Sequence, residues 1–360
     1  MSPRLLALCL CLSCALPAPL QAAAGREPAS EAGLDWAVRE RERERADAAR
    51  APRARAQVLI EGRLGDDPAL REGLHVSRDW FDMLCLALAA RASGEPGYAE
   101  RLRLYLEAWV AVYQPSYNPV SETDFHYLAL AYALGRAQGV FPLALQTRSE
   151  ALFRRMALAY LDEQRDPRPS TRRNNWQSHR VKLATALAYA LRDPELMARS
   201  RQLYRDQIER SITPAGQVYD FGERDALHYV VYSLEGLLTA ALIARLQGED
   251  WYWYETARGA SLNQALLWLS EYASGAKTHT EFQHTTVEFD RQRAARGVAG
   301  FSGLWQPRTA ASCYQLAAGL APHWLPLARR LGPMPGWARE LLQGAGGRPL
   351  TPVIERRIQP

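Results

Sequence analysis

Apolar residues recur at helical spacing along almost the whole chain, and no segment shows the sustained alternation typical of a β-strand. The sequence therefore predicts an all-α protein. The segments between the helices are short and rich in Gly, Pro, Asp and Asn, which favours successive antiparallel helix pairs. The clearest predicted helices are Trp80 to Arg91, Ala99 to Val112, Phe125 to Arg136, Arg148 to Asp162, Trp176 to Arg192, Pro194 to Ile212, Asp225 to Arg245, Leu262 to Tyr272, Arg308 to Leu320 and Trp337 to Gln343.

Helix pairs in this number can build a bundle, a repeat solenoid or a closed ring. The chain has no fixed-period self-similarity, which disfavours a solenoid. We therefore predict one domain over residues 25–360, an (α/α) toroid in the form of an incomplete barrel of helix hairpins. Such a ring leaves a cleft at one end that suits a long polymer. Ten Trp and sixteen Tyr could stack on sugars there, although most aromatic residues are expected in the core.

The amino terminus resembles a secretory signal. Arg4 supplies a positive charge, Leu5 to Leu16 an apolar core, and residues 22–24 a small-residue cleavage site. We predict a signal peptide over residues 1–24, a periplasmic or secreted product, and no membrane contact in the mature form, since no later stretch is long and uncharged enough to span a bilayer. Cys85 and Cys313 remain, both in apolar helical patterns that favour buried thiols; a disulfide is the alternative.

The basic residues are almost all arginine. Lys and Arg together number 44 and only Lys182 and Lys277 are lysines, which leaves 44 − 2 = 42 arginines. Either codon usage explains this, or a groove binds carboxylates or phosphates. No basic patch or known module points to nucleic acid, and no Cys or His cluster points to a metal or other cofactor. Residues 39–55 predict a solvated helix without chemistry.

Residues 172–182 combine amides, a histidine and four cations at the start of an apolar helix. Asn175 and His179 are four residues apart, so both side chains share one helical face. With Asn174, Trp176 and Arg180 beside them, these residues form the first candidate site. The alternative is that the histidine has a purely structural role.

Residues 219–232 form the second candidate site. Asp225, His228, Tyr229 and Tyr232 fall at offsets of three, four and seven, which predicts a polar and phenolic stripe along one helix. A structural alternative, tyrosines that bind a loop at the edge of the core, explains either tyrosine alone more easily than the whole stripe.

Two further segments are polar. Residues 281–293 have little apolar periodicity, and we predict a loop that covers the cleft, with Arg291 as a binding candidate. Residues 118–127 precede a helix that Ser121 or Thr123 could cap. His126 and Tyr127 are binding candidates there.

Together these residues resemble a known family. Asn118-Pro119 with Glu122, the Asn174-Asn175 pair, and the run 226–229 followed by Tyr232 are similar to the alginate lyases and related polyuronate lyases, over residues 118–242. The resemblance implies an α/α toroid and cleavage by β-elimination.

The resemblance also implies roles for residues. In the family, an Asn–His pair and an Arg neutralise the uronate carboxylate, and a Tyr moves the proton. Asn175 and Tyr232 match the Asn and the Tyr. Trp176 and Asp225 stand where the pattern has its His and Arg, so His179 and Arg224 are the nearest candidates. These departures imply a sister family, with another uronic acid as a candidate substrate.

The chemistry restricts the substrate. If Tyr232, with its pKa lowered by neighbouring cations, both takes the C5 proton and protonates O4, the two groups must leave from the same side. Mannuronate and glucuronate satisfy this condition and guluronate does not. We favour mannuronate-rich alginate, with glucuronan close behind; His179 as base and Tyr232 as acid would permit opposite-face elimination.

Two other functions remain open. A toroid-fold glycoside hydrolase acting on uronic-acid oligosaccharides would use two carboxylates, for which the candidates are Asp124, Asp220, Glu223 and Asp225. A non-catalytic periplasmic polysaccharide-binding protein would keep the aromatic residues and arginines. In each case we expect an acidic polysaccharide partner and a monomer.

Overall fold

The computed structural model describes residues 42–49, 51–162, 168–332 and 338, and the fold of this part is helical. Outside the helices, β-structure among these residues is limited to isolated bridges such as Thr280 with Leu304. The helices that we number are α1 Pro68–Val76, α2 Arg78–Ser93, α3 Pro96–Val112, α4 Phe125–Ala137, α5 Leu143–Leu161, α6 Asn175–Leu191, α7 Pro194–Ser211, α8 Tyr219–Arg224, α9 Leu227–Leu246, α10 Leu262–Ala273, α11 Glu288–Ala295, α12 Ala311–Leu320 and α13 Leu325–Leu331.

Local sequence sets several helix starts. Asp67 and Asp193 each accept a main-chain hydrogen bond from the first turn of the helix that follows, and a proline stands at the first helical position of both. Ser261 caps α10 in the same way, with its side chain accepting from Gln264 N–H.

The helices form two layers around a ring. Helices α2, α4, α6, α9 and α12 each pack on the next and make the inner layer, while α3, α5, α7, α10 and α13 pack on them from outside. This is the predicted α/α toroid. Helices α6 and α9 form its centre, since all but a few of their residues are buried.

The inner helices α6 and α9 approach each other closely. Gly236 faces the main chain of Ser178, and a Cβ atom at position 236 would lie 2.9 Å from the Ser178 carbonyl oxygen. The Ser178 and Ser233 hydroxyls are 2.8 Å apart in the same contact. Because Ser178, Ser233 and Gly236 have small side chains or none, the two helices approach closely enough to bring His179 against Tyr232.

Most predicted helices are present within a few residues of the predicted ends, but some differ. Asp225 is not helical: it adopts a left-handed φ of 50° between α8 and α9, so the predicted stripe begins at His228. Helices α1, α8, α11 and α13 were not predicted from the sequence, and each is only six to nine residues long. Trp337 to Gln343 and the signal peptide of residues 1–24 lie outside the described residues.

The charged amino-terminal segment is less solvated than predicted. Residues 42–48 are helical, but Arg45 and Arg53 form ion pairs of 2.5 Å to 2.8 Å with Asp79 and Asp82 of α2. Both carboxylates are buried in the fold, so arginines from this segment hold it against the ring.

Two other expectations concern the core. Cys85 and Cys313 are buried thiols, and no disulfide joins these two described residues. Among the described residues, Leu227–Leu246 is long and apolar enough to cross a membrane by composition, but it is the buried central helix of the ring.

Candidate active site

A cavity of about 300 Å³ lies where the amino-terminal ends of α6 and α9 meet α8 and residues 60–63. Among the described residues, its lining includes the rings of Trp176, Tyr229 and Phe289. It also includes four arginines and two glutamates, a formal excess of 4 − 2 = 2 positive charges: Arg63, Arg168, Arg224, Arg293, Glu61 and Glu223. An aromatic and cationic lining fits an acidic sugar.

The start of α6 presents three of the predicted residues to this cavity. Asn174 is the N-cap, with its side-chain oxygen accepting from Trp176 N–H at 3.0 Å. Asn175 donates from both its main-chain N–H and its side-chain Nδ2 to Asp220 Oδ1, at 3.1 Å and 2.5 Å. The guanidinium of Arg168 lies 4.3 Å from the Trp176 ring. The N-terminus of α6 therefore presents the anchored amide of Asn175 and the indole of Trp176 to the cavity.

Asp220 holds Asn175 in place. Its side chain is fully buried, and burial raises its pKa to about 6, while the hydrogen bonds from Asn175 act in the opposite direction. The sequence offered Asp220 as a hydrolase carboxylate. It does not line the cavity, and neither do Asp124 and Asp225.

Arg224 and Tyr229 meet at the opposite wall. Arg224 Nη1 donates to both oxygens of Asp290, at 2.8 Å and 2.7 Å, and its guanidinium lies 3.9 Å from the centre of the Tyr229 ring. Arg293 Nη1 donates to the Tyr229 hydroxyl at 2.8 Å. Burial raises the pKa of Tyr229, and the guanidinium groups of Arg224 and Arg293 oppose this shift.

His179 and Tyr232 lie one helical turn deeper than Asn175 and Tyr229. Their rings are 3.9 Å apart at an interplanar angle of 32°. His179 Nε2 is 3.0 Å from the Tyr232 carbonyl oxygen, to which it must donate, and its Nδ1 is 2.9 Å from Thr123 Oγ1. The imidazole is buried, which holds its pKa well below the usual value and keeps it neutral.

This arrangement differs from the expectation that His179 faces the substrate. Both ring nitrogens already have protein partners, so neither can contact a uronate without breaking a hydrogen bond. The reason is the close α6–α9 contact, which presses the imidazole onto Tyr232.

Tyr232 is also less accessible than the sequence suggested. The residue is 4% exposed, and its hydroxyl is buried without a hydrogen-bond partner among the described residues. Burial raises the pKa of Tyr232, although the Thr123 hydroxyl acts in the opposite direction. The expectation that cations lower this pKa is wrong, since the two guanidinium groups flank Tyr229 instead.

Residues 280–304, which we call the covering segment, account for this burial. The Thr280–Leu304 bridge closes the segment at its base. Phe282, Val298 and Phe301 pack in one apolar cluster with Tyr229 and Tyr232. The predicted covering loop of residues 281–293 belongs to this segment, but its second half is helix α11.

Asp290 ties the covering segment to the cavity wall through Arg224. Asp225 holds the start of the covering segment, since its carbonyl accepts from His279 Nε2 at 3.0 Å and from Phe282 N–H at 2.8 Å. Asp225 therefore stands where the family pattern has its Arg but binds the covering segment.

Three predicted binding residues do not line the cavity. Arg180 is buried and donates to the Thr171 carbonyl at 2.6 Å. His126 Nδ1 donates to the Thr123 carbonyl at 2.9 Å, and burial holds its pKa well below the usual value. Tyr127 is 1% exposed and packs on Phe81. Their positions indicate structural roles.

The other two predicted binding residues, His228 and Arg291, lie under and on the covering segment. His228 packs 5.2 Å from the centres of the Tyr229 and Phe301 rings, and burial lowers its pKa to about 4. Arg291 is half exposed and pairs with Glu288 at 2.7 Å. Neither lines the cavity.

Other residues at the candidate site were not predicted from the sequence. Arg293 ends the polar segment in which Arg291 was chosen, and helical spacing alone could not separate the two. The prediction that Ser121 or Thr123 caps α4 is wrong, because α4 begins after Asp124 without a side-chain cap, and the Thr123 hydroxyl contacts His179 instead. Lys182 was given no role, although its rarity in this chain was a signal. The described residues contain no group of three or more His, Cys, Asp or Glu side chains that could hold a metal ion.

Comparison with known proteins supports the fold. A family model described as alginate lyase matches residues 21–279. A crystal structure of an alginate lyase from Bacteroides ovatus is similar, with a TM-score of 0.60 and 16% identity over 86% of this chain and 92% of that one. Alginate lyase A1-III from Sphingomonas species A1, as a Tyr-to-Phe variant with a bound tetrasaccharide, has a TM-score of 0.55 and 20% identity over 77% and 91%. No curated protein matches the chain.

Proposed function

Since this chain belongs to the alginate lyase family and is a polysaccharide lyase, we propose that it cleaves a β-1,4-linked polyuronate by β-elimination and leaves 4,5-unsaturated uronate ends. The observation that carries the proposal is the cavity itself. An anchored amide, guanidinium groups and a phenol line it, and a second phenol lies one helical turn deeper.

The reaction first requires a neutralised carboxylate. The C5 proton is α to a carboxylate and is a very weak acid while that group keeps its full charge. Asn175 and Arg224 would face the carboxylate and stabilise the negative charge that spreads into it when the C5–H bond breaks. The electron pair then forms the C4–C5 double bond as the C4–O4 bond breaks.

We assign the proton transfer to Tyr232. Once the covering segment moves away, the burial that raises the pKa of Tyr232 is relieved and the hydroxyl can lose its proton to solvent. The phenolate then takes the C5 proton, and the resulting phenol protonates the departing O4, so Tyr232 is a phenolate again after each turnover. His179 acts by position: it stacks on Tyr232 and binds its carbonyl. Substrate reaches the hydroxyl when the covering segment moves and Asp290 leaves Arg224.

A single phenol restricts the substrate. The C5 proton and O4 must lie on the same side, as in mannuronate and glucuronate. We propose mannuronate-rich alginate as the preferred polymer and glucuronan as the second. The predicted signal peptide of residues 1–24 supports a periplasmic or secreted location, where such polymers are met.

The test is to incubate the purified mature chain with polymannuronate, polyguluronate and glucuronan and to follow the ultraviolet absorbance of the new double bond. We expect product from polymannuronate and, more slowly, glucuronan. Tyr232→Phe should reduce turnover at least about 1,000-fold without loss of the folded state, because it removes the proton carrier. Tyr229→Phe, which removes the hydroxyl that lines the cavity, is the matched variant.

Each outcome has a meaning. Reducing ends without ultraviolet absorbance would identify a hydrolase, and binding without product would identify a binding protein. If Tyr232→Phe were active and Tyr229→Phe inactive, Tyr229 would replace Tyr232 as the assigned proton carrier. The proposed β-elimination would still stand.

A further inference from the structure

Lys182 is one of two lysines in a chain with 42 arginines, and it lies beside the proposed proton carrier rather than on the surface. The residue is 5% exposed and stands on α6, three positions after His179. Its Nζ donates to Thr123 Oγ1 at 3.0 Å. The same oxygen lies 2.9 Å from His179 Nδ1. One hydroxyl therefore joins the lysine to the imidazole that stacks on Tyr232.

The directions of these hydrogen bonds are fixed. A carbonyl can only accept, so His179 Nε2 carries the proton shared with the Tyr232 carbonyl. Nδ1 of the neutral ring is then an acceptor, and Thr123 must donate its hydroxyl hydrogen to it. An ammonium can only donate, so Lys182 occupies a lone pair of Thr123 Oγ1 and leaves the hydroxyl hydrogen to face His179.

We propose that Lys182 is a positioning residue for the His179–Tyr232 pair and acts through the Thr123 hydroxyl. The inference rests on the proposed function, because it assigns a role beside the proposed proton carrier. Without the ammonium, the hydroxyl is free to rotate and to donate elsewhere. His179 then loses the partner that fixes its ring against Tyr232.

The charges around Lys182 support this role. Asp124 at the start of α4 and Glu235 on α9 face the ammonium and favour its charged form. Burial opposes them and is the larger effect, so the pKa of Lys182 falls to about 8. The neutral His126 and His179 complete the surroundings of the amine and add no positive charge.

The Thr123 hydroxyl also affects the phenol. Burial raises the pKa of Tyr232, and the Thr123 hydroxyl counters this shift. A lysine suits the position because its compact, point-like ammonium is held by one contact, whereas the planar fork of an arginine needs several.

The experiment compares Thr123→Val with Thr123→Ser, and Lys182→Met with Lys182→Arg, by steady-state kinetics on polymannuronate. Valine keeps the shape of threonine without its hydroxyl, and serine keeps the hydroxyl. We expect Thr123→Val and Lys182→Met each to lower kcat about tenfold or more with little change in KM, and Thr123→Ser to stay within about threefold of the unmodified protein. The rising limb of the pH profile of kcat/KM should move to higher pH in Thr123→Val.

The double variant tests the connection. If Lys182 acts through Thr123, adding Lys182→Met to Thr123→Val should reduce kcat no further. Additive losses, or normal kcat in Lys182→Met, would overturn the proposal. A Lys182→Arg variant with normal kcat would overturn the argument that the position needs a lysine.

A second measurement does not depend on activity. In ¹⁵N NMR spectra of the folded protein, the Nδ1 signal of His179 should show an accepted hydrogen bond in the unmodified chain and in Thr123→Ser. It should shift in Thr123→Val and Lys182→Met, and an unshifted signal in both would reject the contact. If the unmodified chain formed no unsaturated product, the proposed function would fail while this measurement still decided the role of Lys182.

Discussion

At the scale of single residues, Asp220 illustrates how a buried carboxylate serves a cavity that it does not touch. One of its oxygens accepts both hydrogen bonds from Asn175, which lines the cavity. Its other oxygen has no partner among the described residues. The contact fixes the direction in which the Asn175 amide points. We therefore expect the loss of this contact to lower the turnover rate as well as the stability of the fold.

Replacement of Asp220 should therefore separate a positioning role from mere packing. We expect Asp220→Ala to lower kcat on polymannuronate about 10- to 100-fold, since a buried amide donor without its acceptor costs about 1–3 kcal/mol. Asp220→Asn keeps an oxygen in the accepting position and should retain most of the activity. Equal loss in both variants, measured on protein with an unchanged far-ultraviolet circular dichroism spectrum, would contradict this role.

At the scale of helices, the contact between α6 and α9 decides where His179 and Tyr232 meet. Gly236 is required by close approach, because a Cβ atom there would lie 2.9 Å from the carbonyl carbon and oxygen of Ser178. Main chain cannot give way as a flexible side chain can, so one of the two helices would have to shift.

Gly236→Ala should therefore destabilise the fold by about 1–3 kcal/mol through overpacking, despite the better helix propensity of alanine. Chemical denaturation followed by circular dichroism measures this change. Gly97→Ala is the matched control: Gly97 is exposed in the first turn of α3, with no atom within 4 Å of an added Cβ. We expect the control to be neutral or slightly stabilising, and a Gly236→Ala variant as stable as that control would contradict the steric argument.

The same helices show what the sequence could and could not predict. The apolar character of α2, α4, α6 and α9 and the short segments between helices were sufficient to predict the toroid, and four-residue spacing correctly placed Asn175 and His179 a turn apart on α6. Periodicity cannot tell which side of a buried helix faces a cavity and which faces a neighbouring helix. His179 and Tyr232 were therefore expected to be accessible, and their mutual stacking was not predicted.

At the scale of the whole molecule, buried carboxyl groups make stability depend on pH. Burial raises the pKa of Glu281 to about 8 and of Glu235 to about 7, from ordinary values near 4.5. The folded protein thus holds protons that the unfolded chain has already released at pH 6.5. Unfolding releases them, so stability should fall as pH rises from 6.5 through 8.

Other groups act outside this range. The buried histidines His126, His179 and His228 have lowered pKa values and stay neutral in the fold, so they weaken the folded state only when the unfolded chain takes up protons below about pH 6.5. Lys182, with its pKa lowered to about 8, favours the folded state as pH rises above that value. Between pH 6.5 and 8 the carboxyl groups therefore dominate.

Glu281→Gln provides the test of this balance. The main-chain N–H of His228 donates to Glu281 Oε1 at 3.2 Å, and a glutamine oxygen can accept the same hydrogen bond at the start of α9. The glutamine carries no proton to lose, so the variant should melt at a higher temperature than the unmodified protein at pH 8, and the difference should be much smaller at pH 5.5, which is nearer the ordinary carboxyl pKa of 4.5. Differential scanning calorimetry across pH 5.5–8.5 measures both, and an equally steep fall in melting temperature in the two proteins would show that Glu281 is ionised in the fold.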